Sequence, residues 1–265
     1  MPNTQVLYLS HGGGPLPLLG DPGHQEMVNC LQTIAARLKN PTAIVVVSAH
    51  WEEGVPAITA AEAPPLIYDY YGFPEESYEI QYPCPGHPTL AQQIYSQLHH
   101  AGVEAKLDKQ RGFDHGLFVP LKIMYPEADI PCVQISLLNN LDPEQHLQLG
   151  EALSGLNLDN LLIIGSGFSF HNMQQFFAPP TPDSVVKNEA FESWLLETCS
   201  SPSLSDQERR LRLRDWVAAP AARFCHPREE HLLPLQVCYG IAQTHCSQTF
   251  ELKILGKKAS MYLWQ

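Results

Sequence analysis

Twelve histidines in a chain of 265 residues matter less for their number than for where five of them stand. His11 follows the apolar run 6–9, and His50 follows the β-branched run 44–47 in AIVVVSAHW. His171 follows the aliphatic LLIIG of residues 161–165 through Ser-Gly-Phe-Ser-Phe, while His115 and His231 each open an apolar, helix-like stretch. In open α/β sheets ligands bind at the carboxyl ends of the strands, so this placement draws the five imidazoles to one edge. Neutral imidazole is the commonest side-chain metal ligand and suits Fe, Zn, Cu and Ni, which makes a mononuclear metal centre the leading reading. One histidine so placed would ordinarily be a core or capping residue; five form a pattern.

The remaining histidines carry less. His24, His99, His100, His146 and His245 fall on helical patterns or their ends and read as ordinary surface residues; His87, beside Pro88, reads as loop structure. Seven cysteines include no CxxC pair and are odd in number, which argues for reduced, buried thiols and none as a nucleophile. Arg209, Arg210, Arg212 and Arg214 read as a solvated helix face shared with Glu208 and Asp215.

The elements that must position the five histidines follow from periodicity. Strand, glycine loop, helix and strand over residues 6–49 make a βαβ unit, with helical spacing over 24–38 stopped by Asn40-Pro41. Further strands are predicted at 57–61, 103–107, 131–138 and 161–165, and helices at 89–101, 117–125 and 142–156. Two helices, 184–199 and 205–217, precede the helix 232–242 and two final strands, 250–254 and 260–264. Residues 63–88, rich in Pro, Gly and Tyr, lack periodicity; they read either as a wall or lid of the site or as a packed surface loop. The length fits one α/β domain as well as two smaller ones, and one is the reading taken.

A net charge of −12 opposes binding to nucleic acid or to an anionic membrane, and no apolar run is long enough to cross a bilayer. The first residues lack the basic segment of a secretory signal, so a soluble cytoplasmic protein acting on a small molecule is expected. Oligomeric state is not legible.

The motifs LSHGGGP, VVVSAHW, GFDHG, GSGFSFHN and HPREEHLLPL, with the segment IYDYYGFPEESYEIQYPCPG, resemble the class III extradiol ring-cleavage dioxygenases, in the branch of the DOPA 4,5-dioxygenases. The resemblance runs in order through nearly the whole chain. It implies one catalytic domain over residues 1–265, with a central mixed, largely parallel sheet flanked by helices on both faces. It implies non-haem Fe(II), often replaced by Zn in isolated protein, with O2 as co-substrate. Carried over by position, it implies metal ligands at His11, His50 and His231, with catalytic roles for His171 and His115. His171 would stand beside the metal as acid/base or as a further ligand, and His115 would face substrate. Glu230 is a rival for the third ligand position, because the lignin-degrading branch uses a glutamate there; one residue from His231, it would point about 100° away on a helix. The implied activity is cleavage of a catechol, in this branch of L-DOPA to seco-DOPA and betalamic acid.

Such chemistry needs few protein ligands, because a catechol chelating through both oxygens and dioxygen each require open coordination positions. It also needs a base to take a catechol proton, for which histidine is suited. Two other classes fit the residues less well. A zinc hydrolase could use the same histidines without O2, and a non-catalytic binding homologue would have lost them.

Overall fold

The computed structural model describes residues 4–156 and 158–265. Its elements, in chain order, are β1 (Gln5–Ser10), α1 (Gln25–Arg37), β2 (Ala43–Glu53), β3 (Ala57–Thr59), α2 (Pro88–His100) and β4 (Lys106–Asp108). There follow α3 (His115–Met124), β5 (Cys132–Leu138), α4 (Pro143–Leu153), β6 (Leu161–Gly167) and α5 (Met173–Phe177). The chain closes with α6 (Pro182–Ser200), α7 (Asp206–Arg214), α8 (Ala222–Cys225), α9 (Leu233–Ala242), β7 (Gln248–Ile254) and β8 (Lys257–Trp264).

All eight strands form one sheet in the order β4-β3-β5-β2-β6-β1-β8-β7. The central four, β5, β2, β6 and β1, are mutually parallel, and their runs of Val, Ile and Leu are buried on both faces, as parallel strands require. β8 returns antiparallel along β1 and β7 along β8, while β3 lies antiparallel to β5. The sheet is therefore mixed and largely parallel.

Period-two alternation sends side chains to two cores. Leu7, Leu9, Ile44, Val46 and Ile164 face a layer built with Met27, Leu31 and Ile34 of α1 and Leu117 and Leu121 of α3. Val45, Val47, Ile135 and Ile163 face the other, with Leu90 and Ile94 of α2, Leu149 and Leu153 of α4, and Val237 of α9. On α6, Glu192 is buried against β8, where the Ser260 hydroxyl donates to its carboxylate.

Three expectations shift. The edge strand predicted at 103–107 is the shorter Lys106–Asp108. β2 runs on past His50 to Glu53. Arg209 is not solvated: it is fully buried, and its guanidinium donates to the carbonyls of Thr198, Ser201 and Leu204, closing the turn between α6 and α7. Arg210 instead pairs with Glu144 and Glu151 of α4. The cysteines are all free thiols.

Candidate active site

His11 leaves the sheet just beyond β1, its backbone N–H held 3.1 Å from the carbonyl of Gly167. Gly12 then turns the chain at φ 86°, where a Cβ would lie 2.7 Å from Pro17, so this step requires glycine. The loop is pinned by His24, whose Nε2 accepts from the Gly13 N–H at 3.0 Å while Nδ1 meets Asp21 at 2.7 Å. His24 is thus buried rather than a surface residue, and so is His146, whose Nε2 accepts from the N–H of Leu138 at 3.1 Å.

His50 owes its position to an irregularity. β2 pairs Ser48 with Ser136 and next pairs Glu52 with Leu137, so residues 49–51 stand opposite no partner on β5. A bulge of this kind re-aims a side chain at a sheet edge. The Ser48 hydroxyl below it donates to Asp114 at 2.8 Å, which ties the bulge to the turn that opens α3. His115, the first residue of α3, comes to lie with its ring 3.9 Å from that of His50.

His231 lies in the turn before α9, not on the helix, so the angular argument that separated it from Glu230 does not apply. Its carbonyl accepts from the Phe168 N–H and from the Tyr8 hydroxyl, both at 2.9 Å, which fastens it to β6 and β1. The approach is close enough that a Cβ on Gly167 would fall 2.1 Å from that carbonyl oxygen. Glu230 points to the histidines' Nδ1 atoms, 3.0 Å from His231 and 3.2 Å from His171. His171 stacks on His231 with ring centres 3.4 Å apart and planes within 14°.

The structure brings His11, His50 and His231 together through Nε2: 3.0 Å separates His50 from His11 and 3.3 Å separates it from His231. Each Nδ1 faces an oxygen. His11 Nδ1 lies 3.0 Å from Ser166 Oγ, whose own proton goes to the carbonyl of Gly116. His231 Nδ1 meets Glu230, and His50 Nδ1 stands 3.5 Å from Asp69. With Nδ1–H directed at Ser166 and Glu230 and turned toward Asp69, the three Nε2 lone pairs face one another, a grouping able to hold a metal ion.

Metal–nitrogen bonds of about 2.1 Å would separate ligand atoms by about 3.0 Å at right angles and about 3.4 Å at a tetrahedral angle, so the spacing fits a metal ion. Burial and the neighbouring imidazoles push His11 and His50 well below the ordinary histidine value and His231 down to about 3, which keeps the lone pairs available at neutral pH. For Glu230, burial works upward, but the bonds from His171 and His231 prevail and hold its carboxyl well below the usual range.

Sequence reasoning missed Asp69. Its carboxylate takes the His115 backbone N–H at 3.0 Å and the Nδ1 at 2.8 Å, besides facing His50. It sits in the Tyr-rich segment 63–88, where no periodicity singles out one acid. His226 was also passed over; it is buried, and its ring bonds the carbonyl of Ser169 at 2.6 Å, bracing the segment that carries His171. His87 caps α2 by accepting from the Leu90 N–H.

Above the imidazoles opens a cavity of 410 Å³. It is lined by the histidines and Gly12–Gly14, by Tyr70 and Phe73 of the 63–88 segment, and by Met173, Phe176 and Phe177 of α5. The long segment is thus a wall, and it also packs on itself, with the Tyr70 hydroxyl donating to the Ser77 carbonyl at 2.6 Å.

Comparison with known proteins agrees with this arrangement. Residues 5–261 match the family described as the catalytic LigB subunit of aromatic ring-opening dioxygenase. A dioxygenase, tasH, of Hapsidospora irregularis is 38% identical, the match covering 98% of this chain and 85% of that one. A 4,5-DOPA dioxygenase extradiol of Beta vulgaris is also 38% identical, over 90% of this chain and 87% of that one. The crystal structure of an uncharacterized protein from Escherichia coli K12 superposes with a TM-score of 0.74 at 28% identity, covering 98% of this chain and 99% of that one. An imidazole cluster at the edge of a parallel sheet, under an aromatic-walled cavity, is what a chain matched from β1 to β8 by this family should contain, and the chain belongs to it as a class III extradiol aromatic ring-opening dioxygenase.

Proposed function

We propose that His11, His50 and His231 hold a non-haem Fe(II) and that the protein uses it to cleave a catechol with O2. The reading is carried by one observation: the Nε2 atoms of His11 and His231 lie within 3.3 Å of that of His50, and each of the three rings has its Nδ1 facing an oxygen. Three neutral ligands leave sites open, and Fe(II) would supply there the coordination of both catechol oxygens and the activation of dioxygen.

The chain's own residues do the rest. His171, stacked on His231 with Nδ1 toward Glu230, is assigned the role of acid/base that receives a catechol proton. Glu230 stabilises the imidazolium so formed. His115, held by Asp69 through Nδ1, lines the cavity and is assigned the hydrogen bond to substrate. Tyr70, Phe73 and Phe168 sandwich an aromatic ring and exclude water.

The relatives named 4,5-DOPA dioxygenases make L-DOPA, cleaved to seco-DOPA, the reference substrate beside which uncharged catechols are assayed. Anaerobic reconstitution with Fe(II), then addition of L-DOPA or catechol and air, should give oxygen uptake and a yellow ring-opened product. A His171→Gln enzyme should keep its iron and lose about 10²- to 10⁴-fold in turnover. Absence of oxygen uptake with every catechol, in protein holding one equivalent of iron, would refute the reading.

A further inference from the structure

We propose that the ring substituent of the substrate is apolar and uncharged, seated against the apolar lining of Met173, Phe176, Phe177, Leu16 and Leu255; this rests on the extradiol reading above. The cavity lining is of two kinds: five histidines, and apolar side chains that include Leu16, Leu255 and Met173, Phe176 and Phe177, drawn from three separate segments of the chain. Among the described residues that line it there is no Lys, Arg, Asp or Glu. A carboxylate or ammonium carried on the ring would meet no opposite charge among these side chains.

The nearest candidate cation is already engaged. Arg228 lines a neighbouring recess of 290 Å³ behind His171, but its guanidinium is bidentate on Glu52 at 2.6 and 2.7 Å and lies 3.3 Å from Glu230. With a net charge of −12 the chain adds no general attraction for anions. Phe177 is 83% exposed and Met173 52% exposed, large apolar groups left facing water beside the cavity. A substrate tail that covers them gains about four-fold in affinity per buried methylene.

The test compares catechol, 4-methylcatechol and 4-butylcatechol with L-DOPA and 3,4-dihydroxyphenylacetate. Two readouts are taken: kcat/KM from oxygen uptake by the Fe(II) enzyme, and anaerobic Kd by calorimetry on the Zn(II)-loaded protein. We expect 4-butylcatechol to exceed both charged compounds, and catechol itself, by at least about ten-fold in each. Phe177→Ser should erode the butyl advantage over catechol by about ten-fold, and Met173→Lys should shift preference toward 3,4-dihydroxyphenylacetate. Equal or better use of L-DOPA or 3,4-dihydroxyphenylacetate would overturn the proposal while leaving ring cleavage intact. Loss of oxygen uptake with all five would instead strike the extradiol reading, and the calorimetric order would still judge the tail.

Discussion

Asp69 uses one carboxylate on two histidines, with Oδ1 on His115 and Oδ2 toward His50. Replacing it with asparagine keeps the shape but leaves one acceptor oxygen for two rings, so one of them meets an amide N–H and loses its reason to hold its tautomer. Outer-shell partners of metal-bound histidines typically contribute 10- to 100-fold in affinity. Asp69→Asn should therefore weaken metal binding by roughly that factor, measured by competition with a chromogenic chelator, and Glu230→Gln by a similar one. His231→Ala should abolish binding. If Glu230→Gln alone stripped the metal while His231→Ala kept it, Glu230 would be the ligand. At this scale the sequence showed the imidazoles, because histidines after strands are conspicuous. It did not show the acids that orient them, because a lone Asp in a Tyr-rich loop has no spacing to betray it.

Elements decide how far apart those rings are. The parallel strands were legible because β-branched runs bounded by glycine and polar residues have few other interpretations. The bulge at residues 49–51 was not: Ala-His-Trp continues a strand pattern, and only the pairing with β5 shows that three residues are unmatched. Nor was α5, whose five residues are too short for a helical period to emerge. β6 meets the turn before α9 at Gly167, and Gly167→Ala would drive a methyl group into the His231 carbonyl. Overpacking of this kind costs about 1–3 kcal/mol. We expect a lower unfolding midpoint together with a loss of metal affinity larger than that of Ala49→Gly, an alteration beside His50 that adds no atoms. Unchanged affinity in Gly167→Ala would show that the turn can yield without moving the imidazole.

The molecule as a whole should respond to pH through a buried carboxyl outside the imidazole cluster. Burial pushes the carboxyl of Glu192 up to about 7; the Ser260 and Ser169 hydroxyls and Lys258 work in the other direction, and Glu251 adds to the rise. An unfolded chain ionises this group near pH 4.5, while the folded one keeps its proton until about 7. The folded state thus binds more protons across that window, and stability falls as pH rises through it, by about 3 kcal/mol in total. Glu192→Gln should flatten this slope in urea titrations run from pH 4 to 8; an unaltered slope would assign it to other groups. Among the described residues no helix is long and apolar enough to cross a membrane. Finally, the imidazoles that meet at Nε2 belong to residues 181 positions apart, His50 and His231. An ion held between them is a removable cross-link: it ties the first βαβ unit to the last quarter of the chain and closes a ring around nearly everything between. By the loop-closure arithmetic used for disulfides, such a ring takes at most on the order of 5 kcal/mol of freedom from the unfolded chain, and the drop in unfolding midpoint on adding a chelator reads out how much of it the metal supplies.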